Sequence, residues 1–197
     1  MSAAVLVLHP WWGLNDDVRA CAERLRREGY EVATPDLFGG RVATTIEAAK
    51  SLSGEVSKNW QSAMTEIEKA LEKVQADRVA VLAWSMGVWF SWQLAQAYPD
   101  RIRGLVSYYG YGEIEPGKSL PPILGHFAEN DEFEALDDVR ATEKALKESG
   151  AVAQFHVYPG TKHWFDEPSR PEFDKAASEQ AWKRTLGFLD KTLRQQI

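Results

Sequence analysis

Residues 79–99 read VAVLAWSMGVWFSWQLAQAYP, and this stretch carries the clearest fold signal in the sequence. Its first five residues are apolar and either small or branched, as in a strand that is buried on both faces. Its second half follows a helical pattern that includes Gln93 and Gln96. An uncharged run of this length could span a bilayer, but a membrane helix needs a uniformly apolar sequence. The change of pattern therefore favours a strand, a turn and a helix.

Outside this stretch, short apolar segments alternate with amphipathic ones, which is typical of a parallel sheet covered by helices. The sequence predicts an α/β fold with a mainly parallel sheet of about six strands and helices on both faces. The predicted strands are Ala4–His9, Glu31–Thr34, Val79–Ala83, Leu105–Tyr109, Ile123–Phe127 and Ala153–Val157. The predicted helices are Asp16–Glu28, Glu55–Gln75, Gly87–Tyr98, Asp137–Ser149 and Glu172–Arg194. No repeat or change of composition divides the chain, so we expect one compact domain over residues 1–197.

Two connections bear on how open the molecule is. The connection from Gly110 to Pro122 is short and rich in glycine and proline, so it leaves no room for an inserted lid domain. The segment from Pro35 to Gly54 is longer, and we expect it to form a flexible rim in which Ile46–Leu52 could form a helical turn. A site beside these connections should therefore be fairly open.

The charge and the cysteine content exclude several classes of protein. The 197 residues include 23 Lys and Arg against 29 Asp and Glu, a formal net charge of −6, and no basic run. Such a chain is a poor candidate for binding nucleic acid or an anionic membrane. Cys21 is the only cysteine, which excludes an internal disulfide, and the four scattered histidines predict neither a metal site nor a cofactor. The first residues lack the pattern of a signal peptide, so we expect a cytoplasmic protein that is a monomer or a weak homodimer.

The sequence Ala83-Trp84-Ser85-Met86-Gly87 stands where the central predicted strand gives way to a helix. It nearly matches the G-x-S-x-G nucleophile elbow, with alanine in place of the first glycine. Small residues are needed two positions before and after the serine because the strained turn brings them together. The alternative is that Ser85 merely caps the N-terminus of the following helix.

A serine hydroxyl is a weak nucleophile, so it needs a base that is itself held by an acid. Asp131 follows the fifth predicted strand and His163 follows the sixth, which places both at the same sheet edge as Ser85. We therefore predict Asp131 as the acid and His163 as the base. Other carboxylates near Asp131 could take its place or be solvated loop charges, namely Glu129, Glu132 and Glu134. The remaining histidines lie in or at the ends of strands and are interpreted as structural: His9, His126 and His156.

With these residues in place, the chain resembles the dienelactone hydrolase family of α/β-hydrolases over nearly its whole length. The resemblance rests on VLVLHPWWGLN at 5–15, LRREGY at 25–30, PDLFG at 35–39, the elbow, YYG at 108–110, Asp131 and HWF at 163–165. It implies a compact α/β-hydrolase domain with no lid and a catalytic triad of Ser85, Asp131 and His163. It also implies an oxyanion hole formed by the backbone N–H groups of Met86 and Trp11. Pro10 has no N–H, but its fixed φ could hold the Trp11 amide in place.

The chain departs from the family's pattern at three places. Ser85 stands where dienelactone hydrolases proper have a cysteine, and Pro10 stands where they have a glutamate that interacts with the resting thiol. These two changes agree with each other, because a serine leaves no thiolate to control. Asp166 and Glu167 occupy the stretch where the dienelactone-type members of the family have a carboxylate-binding arginine, and Arg170 is the nearest cation. We therefore expect a neutral substrate rather than dienelactone.

Aromatic residues are concentrated in the segments that should surround Ser85, which predicts an apolar pocket for a small ester or lactone. The predicted substrate contacts are Trp12, Phe38, Trp84, Tyr109 and Trp164. The predicted reaction is ester or lactone hydrolysis through an acyl-enzyme on Ser85. One alternative is a catalytically degenerate homologue that only binds a ligand, since a fold does not guarantee activity. Another is thioester, peptide or acyl-transfer chemistry on the same triad.

Overall fold

Six parallel strands form a single sheet in the computed structural model, which describes residues 3–115 and 117–194. The strands are β1 (Ala3–Leu8), β2 (Glu31–Ala33), β3 (Arg78–Trp84), β4 (Ile102–Tyr108), β5 (Ile123–Ala128) and β6 (Ala153–Tyr158). Their order across the sheet is β2-β1-β3-β4-β5-β6, and every neighbouring pair is parallel. All six carboxyl ends therefore lie along one edge, here called the carboxyl edge, and all six amino ends lie along the opposite amino edge.

The centre of the sheet is apolar on both faces because helices cover both. Strand β1 pairs with β3 from Ala3 opposite Arg78 to Leu8 opposite Ala83, and all six residues of β1 are buried. The helices are α1 (Asp16–Arg27), α2 (Ile46–Lys58), α3 (Trp60–Lys73), α4 (Met86–Ala97), α5 (Leu136–Glu148) and α6 (Lys175–Leu189). A π-helical segment, Asp190–Arg194, continues α6. The predicted α/β class, the parallel sheet of six strands and the covering helices are confirmed.

The prediction of a single helix over Glu55–Gln75 is wrong. The chain forms two helices there, α2 and α3, and the first begins at Ile46 in the predicted rim, where a helical turn over Ile46–Leu52 was allowed for. Thr45 caps α2 by accepting a hydrogen bond from the Ala48 N–H, and Asn59 separates the two helices at φ −121° and ψ 38°. The Asn59 side chain donates a hydrogen bond to the Glu55 carbonyl. Such side-chain bonds compete with the backbone hydrogen bonds of a helix, which is why asparagine is disfavoured inside helices.

Other boundaries differ by a few residues. Helix α6 begins at Lys175 rather than Glu172 because the Asp174 carboxylate caps it at the Ala177 N–H, and the last five residues of the predicted helix are π-helical. Strand β4 ends at Tyr108, since Tyr109 takes a positive φ of 38° and leaves the strand.

The predicted rim is anchored by hydrogen bonds. Asp36 accepts bonds from the Phe38 and Gly40 N–H groups, and Ala43 N–H donates to the Trp12 carbonyl. Across the ranges 3–115 and 117–194, the helices are all too short or too polar to cross a bilayer.

Candidate active site

Ser85 lies at the carboxyl end of β3, at the start of helix α4. Its backbone adopts φ 45° and ψ −115°, a region that L-residues rarely occupy, and its N–H donates to the Tyr108 carbonyl at 3.0 Å. Its side chain makes no capping bond to α4, so the helix-cap interpretation does not hold. The turn instead directs the hydroxyl away from the helix.

Gly87 allows the turn to pack tightly against the end of β1. A Cβ atom at this position would lie 2.7 Å from the Leu8 carbonyl oxygen and 2.9 Å from that of His9. Both contacts are with backbone, which cannot rotate away. The glycine thus brings the start of α4 next to the loop that follows β1.

Ser85, His163 and Asp131 form a continuous hydrogen-bonded chain. The Ser85 Oγ is 3.2 Å from His163 Nε2, and His163 Nδ1 is 2.8 Å from both carboxylate oxygens of Asp131. The side chains of His163 and Asp131 are 5% and 1% exposed. Because Nδ1 faces a carboxylate, it carries the proton and leaves Nε2 free to accept one from the serine.

Asp131 is held by the backbone of its own loop. Its Oδ1 accepts bonds from the Phe133 N–H at 2.8 Å and the Glu134 N–H at 3.1 Å. Among the described residues, no other carboxylate bonds His163. Glu129 accepts a bond from the Gly160 N–H, and Glu134 faces Tyr111, where burial and the nearby Asp131 raise its pKa to about 7.

Two backbone N–H groups, one in the serine turn and one in the loop after β1, are not used by the fold of the described residues. Met86 is the first residue of α4, so its N–H has no acceptor within the helix. Trp11 lies in the turn after β1, and its N–H finds no acceptor in the part of the chain that the structure describes. The turn is closed by the Gly13 N–H donating to the Pro10 carbonyl at 3.1 Å.

The His9 side chain stabilises that turn through two hydrogen bonds. Its Nδ1 donates to the Pro10 carbonyl at 2.7 Å, and its Nε2 accepts a bond from the Leu37 N–H at 3.0 Å. Burial lowers the pKa of His9, in keeping with a neutral imidazole. Its contacts are those of a structural residue, and so are those of His126, which bonds the Tyr158 and Thr185 hydroxyls.

Phe133 is a residue of the site that the sequence analysis missed. Its side chain is 50% exposed, and its ring centroid lies 4.8 Å from that of His163 and 5.6 Å from that of Trp11. An apolar residue between two glutamates, two positions after the predicted acid, was the available signal. Phe133 and the half-buried Trp11 form an aromatic rim beside the hydrogen-bonded chain.

All five predicted substrate contacts are buried. Trp12, Phe38, Trp84 and Tyr109 are at most 3% exposed, so they have almost no surface on which a substrate could bind. They form a layer beneath the site instead, and their burial argues against direct contact. The fifth, Trp164, is 6% exposed and stacks against Trp11 with ring centroids 5.8 Å apart.

Two carboxyl groups follow His163 in sequence, one on the half-buried Asp166 and one on the buried Glu167. Asp166 accepts bonds from Trp84 Nε1 at 3.1 Å and Ser178 Oγ at 2.6 Å, and burial raises its pKa to about 7. Glu167 accepts a bond from the Tyr109 hydroxyl at 2.7 Å, and burial raises its pKa to about 8. The Tyr109 ring centroid lies 4.7 Å from that of His163, so Glu167 is two contacts away from the imidazole.

The negative charge near the site is smaller than the acidic residues after His163 suggest from the sequence. Glu167 is largely neutral at pH 7, which weakens the repulsion that the sequence suggests for an anionic substrate. Arg170 places its guanidinium 3.9 Å from the centroid of the Trp12 ring, in a cation–π contact. Within residues 3–115 and 117–194, no cluster of three or more His, Cys, Asp or Glu side chains could hold a metal ion.

Comparisons with known proteins agree on one family. The family model described as "Dienelactone hydrolase family" matches residues 1–193. Protein usf of Aquifex pyrophilus is 27% identical over 96% of this chain and 88% of its own length. A protein of Aquifex aeolicus, named provisionally as a carboxymethylenebutenolidase, is 25% identical over 97% of this chain and 89% of its own.

Solved structures share the fold. A dienelactone hydrolase-like promiscuous phosphotriesterase from metagenomic libraries superposes with a TM-score of 0.80. It is 17% identical, and the match covers 98% of this chain and 87% of that one.

Proposed function

The chain belongs to the dienelactone hydrolase family, and from this premise we propose that it hydrolyses small carboxylic esters or lactones with Ser85, His163 and Asp131 as its catalytic triad. The observation that carries the proposal is the unbroken hydrogen-bonded chain from Asp131 through His163 to Ser85. The proposal is further supported by the strained backbone of Ser85, which exposes its hydroxyl at the end of a strand.

In the proposed first step, His163 Nε2 takes the proton of the Ser85 hydroxyl as Oγ bonds to the carbonyl carbon of the ester. The bond to the leaving alkoxide then breaks, and His163 gives it the proton, so that an alcohol leaves and an acyl-serine remains. In the second step a water molecule gives its proton to His163 and attacks the acyl carbon. The carboxylic acid product is released and Ser85 regains its proton.

The negative charge of the tetrahedral intermediate needs donors that are already in place. The N–H groups of Met86 and Trp11 are suited to this, because neither is used by the fold within the described residues. The hydrogen bond of His9 to the turn and the close approach at Gly87 support this assignment, because they restrict the two segments that carry these N–H groups. Donors that need no rearrangement are the main source of rate enhancement in acyl transfer.

We expect the substrate to be a small neutral ester or lactone. The rim presents the apolar faces of Phe133 and Trp11, and the neighbouring exposed Glu132 would repel a carboxylate. The guanidinium of Arg170, the nearest cation in sequence, already makes a cation–π contact with the Trp12 ring. Thioesters and peptides are the alternative substrates for the same triad, and a ligand-binding protein without turnover is the alternative outside enzymes.

Labelling with a fluorophosphonate tests the proposal directly. We expect mass spectrometry with peptide mapping to find the label on Ser85 and on no other serine, and the protein to hydrolyse p-nitrophenyl acetate. Ser85→Ala and His163→Ala should each abolish both labelling and turnover. Ser53→Ala is the matched control, because Ser53 lies on α2 and bonds only the Lys50 carbonyl.

An unlabelled Ser85 in protein that unfolds cooperatively would contradict the proposed nucleophile and favour the ligand-binding alternative. Labelling without ester turnover would keep the nucleophile but point to thioester, peptide or acyl-transfer chemistry. Comparing an acyl thioester with a peptide substrate would then separate thioester from peptide chemistry, and turnover of neither would leave acyl transfer.

A further inference from the structure

A cavity of about 900 Å³ opens at the amino edge of the sheet, at the opposite end of the strands from Ser85. Its walls include the first residues of three strands, Arg78, Ile102 and Ile123, and residues of α6 such as Gly187 and Phe188. This volume lies in the range of about 300–1,000 Å³ that is typical of small-molecule sites. None of the residues placed in the ester-hydrolysis site lines it.

The cavity is positively charged in a protein of net negative charge. Arg103, Arg184 and Lys191 line it together with Arg78, and no carboxylate belongs to its lining among the described residues. Arg103 and Lys191 form no ion pair with any residue in 3–115 or 117–194. The whole chain carries a formal charge of −6, so this grouping of cations produces a local field that favours an anion.

The same cavity also has apolar walls. Leu120, Val152 and Phe188 contribute to them, and Val152 is 66% exposed, more than any other large hydrophobic side chain that the structure describes. Apolar surface of this kind is stabilised when a ligand removes it from water. A ligand that fits must therefore combine an apolar body with a negative charge.

Gly187 leaves space beside helix α6 where the helix lines the cavity. A Cβ at this position would meet no atom within 4 Å, so the protein itself does not fill the space next to the helix backbone. A ligand in the cavity can therefore lie against the backbone at Gly187.

We propose that this cavity is a binding site for amphipathic organic monoanions, such as medium-chain carboxylates. The apolar body of the ligand lies against Phe188 and Val152, and its carboxylate pairs with Arg103 and Lys191. The ligand passes across the α6 backbone at Gly187. This site is separate from the proposed hydrolase site and does not depend on the proposed function.

Calorimetric titration with decanoate, below its micelle concentration, tests the site. We expect binding to the wild-type protein and a dissociation constant raised by at least about tenfold in Arg103→Glu/Lys191→Glu, because the charge that holds the carboxylate is reversed. The variant Arg140→Glu/Lys144→Glu makes the same charge change on the exposed face of α5 and should bind decanoate within about twofold of wild type. Decanol, which lacks the charge, should bind at least about tenfold more weakly than decanoate.

Gly187→Leu tests the contact with the helix. The leucine side chain would fill space at α6, so decanoate binding should weaken by about tenfold or more while urea unfolding shows an intact fold. The proposal is overturned if decanoate does not bind at millimolar concentration, or if Arg103→Glu/Lys191→Glu binds it like the wild type. Equal affinity for decanol and decanoate would also overturn it, since that result would show an apolar site without selectivity for anions.

Discussion

At the scale of single residues, Gly87 determines how closely the serine turn approaches the loop after β1. We predict that Gly87→Ala lowers ester hydrolysis by about 10²–10³-fold, as when one oxyanion donor is lost, because the new Cβ would push Met86 away from Trp11. Overpacking should also reduce the free energy of unfolding by about 1–3 kcal/mol. Steady-state kinetics with p-nitrophenyl acetate and urea unfolding measure the two effects.

Gly54→Ala provides the control for that substitution. Gly54 lies within α2, and a Cβ there would meet nothing within 4 Å. This variant should be stabilised by about 0.5–1 kcal/mol with unchanged turnover. Comparable losses of activity in both variants would mean that the close approach at Gly87 does not matter for the reaction.

Asp131→Asn should reduce kcat by a factor on the order of 10⁴, following the behaviour of other Ser-His-Asp triads. An asparagine amide facing His163 Nδ1 would favour the tautomer with its proton on Nε2, which then cannot accept the serine proton. The rate of p-nitrophenyl acetate hydrolysis checks this, with Asp137→Asn on the exposed part of α5 as control. A loss of less than about tenfold would show that another acid orients the histidine.

The three residues predicted from local sequence patterns to form the triad lie together in the structure. Ser85, Asp131 and His163 each follow a strand, so the topology of a parallel sheet was enough to predict their proximity. Tyr109 and Glu167 are different, since their contact joins residues 58 positions apart with no periodic or motif signal. The burial of the predicted aromatic contacts was likewise not predictable. Composition alone does not distinguish aromatic residues that line a pocket from those that pack behind its lining.

At the scale of elements, helix α6 is tied to the sheet by a buried polar network. The Thr185 hydroxyl lies 3.1 Å from the Tyr108 hydroxyl and 3.0 Å from His126 Nε2. Thr185→Val would leave these two buried groups with one partner fewer, so we predict a loss of about 1–3 kcal/mol in the free energy of unfolding. Urea unfolding followed by circular dichroism measures it.

Thr65→Val is the corresponding control, because Thr65 is exposed on α3 and bonds only the Gln61 carbonyl. Its effect should stay within about 0.5 kcal/mol. An equal and small effect of both substitutions would show that the network contributes no more than an exposed hydroxyl does.

The break between α2 and α3 shows where helix prediction failed. Apolar residues continue at helical spacing through both helices, with Val56 and Ala63 buried on either side of Asn59. Periodicity therefore gives no sign of an end, and the signal is the single asparagine whose side chain competes for the Glu55 carbonyl. The strands were easier to predict than the helix ends, because continuous apolar runs identify strands that are buried on both faces.

At the scale of the whole molecule, the buried carboxyl group of Glu167 makes stability depend on pH. Its pKa is about 8 in the folded protein and near the ordinary value of 4.5 in the unfolded chain. Between these values the folded state holds a proton that the unfolded state has lost, so stability falls as pH rises, by up to about 1.4 kcal/mol per pH unit. Below pH 4.5 and above pH 8 the contribution of this group is constant.

Glu167→Gln should remove this dependence while keeping an acceptor for the Tyr109 hydroxyl. We predict that the variant gains at least about 2 kcal/mol relative to wild type between pH 5 and pH 9, measured by urea unfolding at each pH. Glu148→Gln, at the exposed end of α5, should show no such gain. A constant difference between Glu167→Gln and wild type would mean that Glu167 ionises normally in the folded protein.

The strand order has a consequence for how the molecule is made. Strands β1 and β3 are neighbours in the sheet but are separated in sequence by α1, β2, α2 and α3. Contacts between residues so far apart in sequence form slowly. After that, β4, β5 and β6 each pair with the strand that precedes them in sequence. The sheet can therefore gain these strands in the order in which the ribosome synthesises them. Ser85 precedes His163 by 78 residues, so a growing chain holds the proposed nucleophile roughly 4–16 s before the proposed base is synthesised. By the proposed mechanism, a nascent chain can therefore hydrolyse an ester only after His163 has been synthesised.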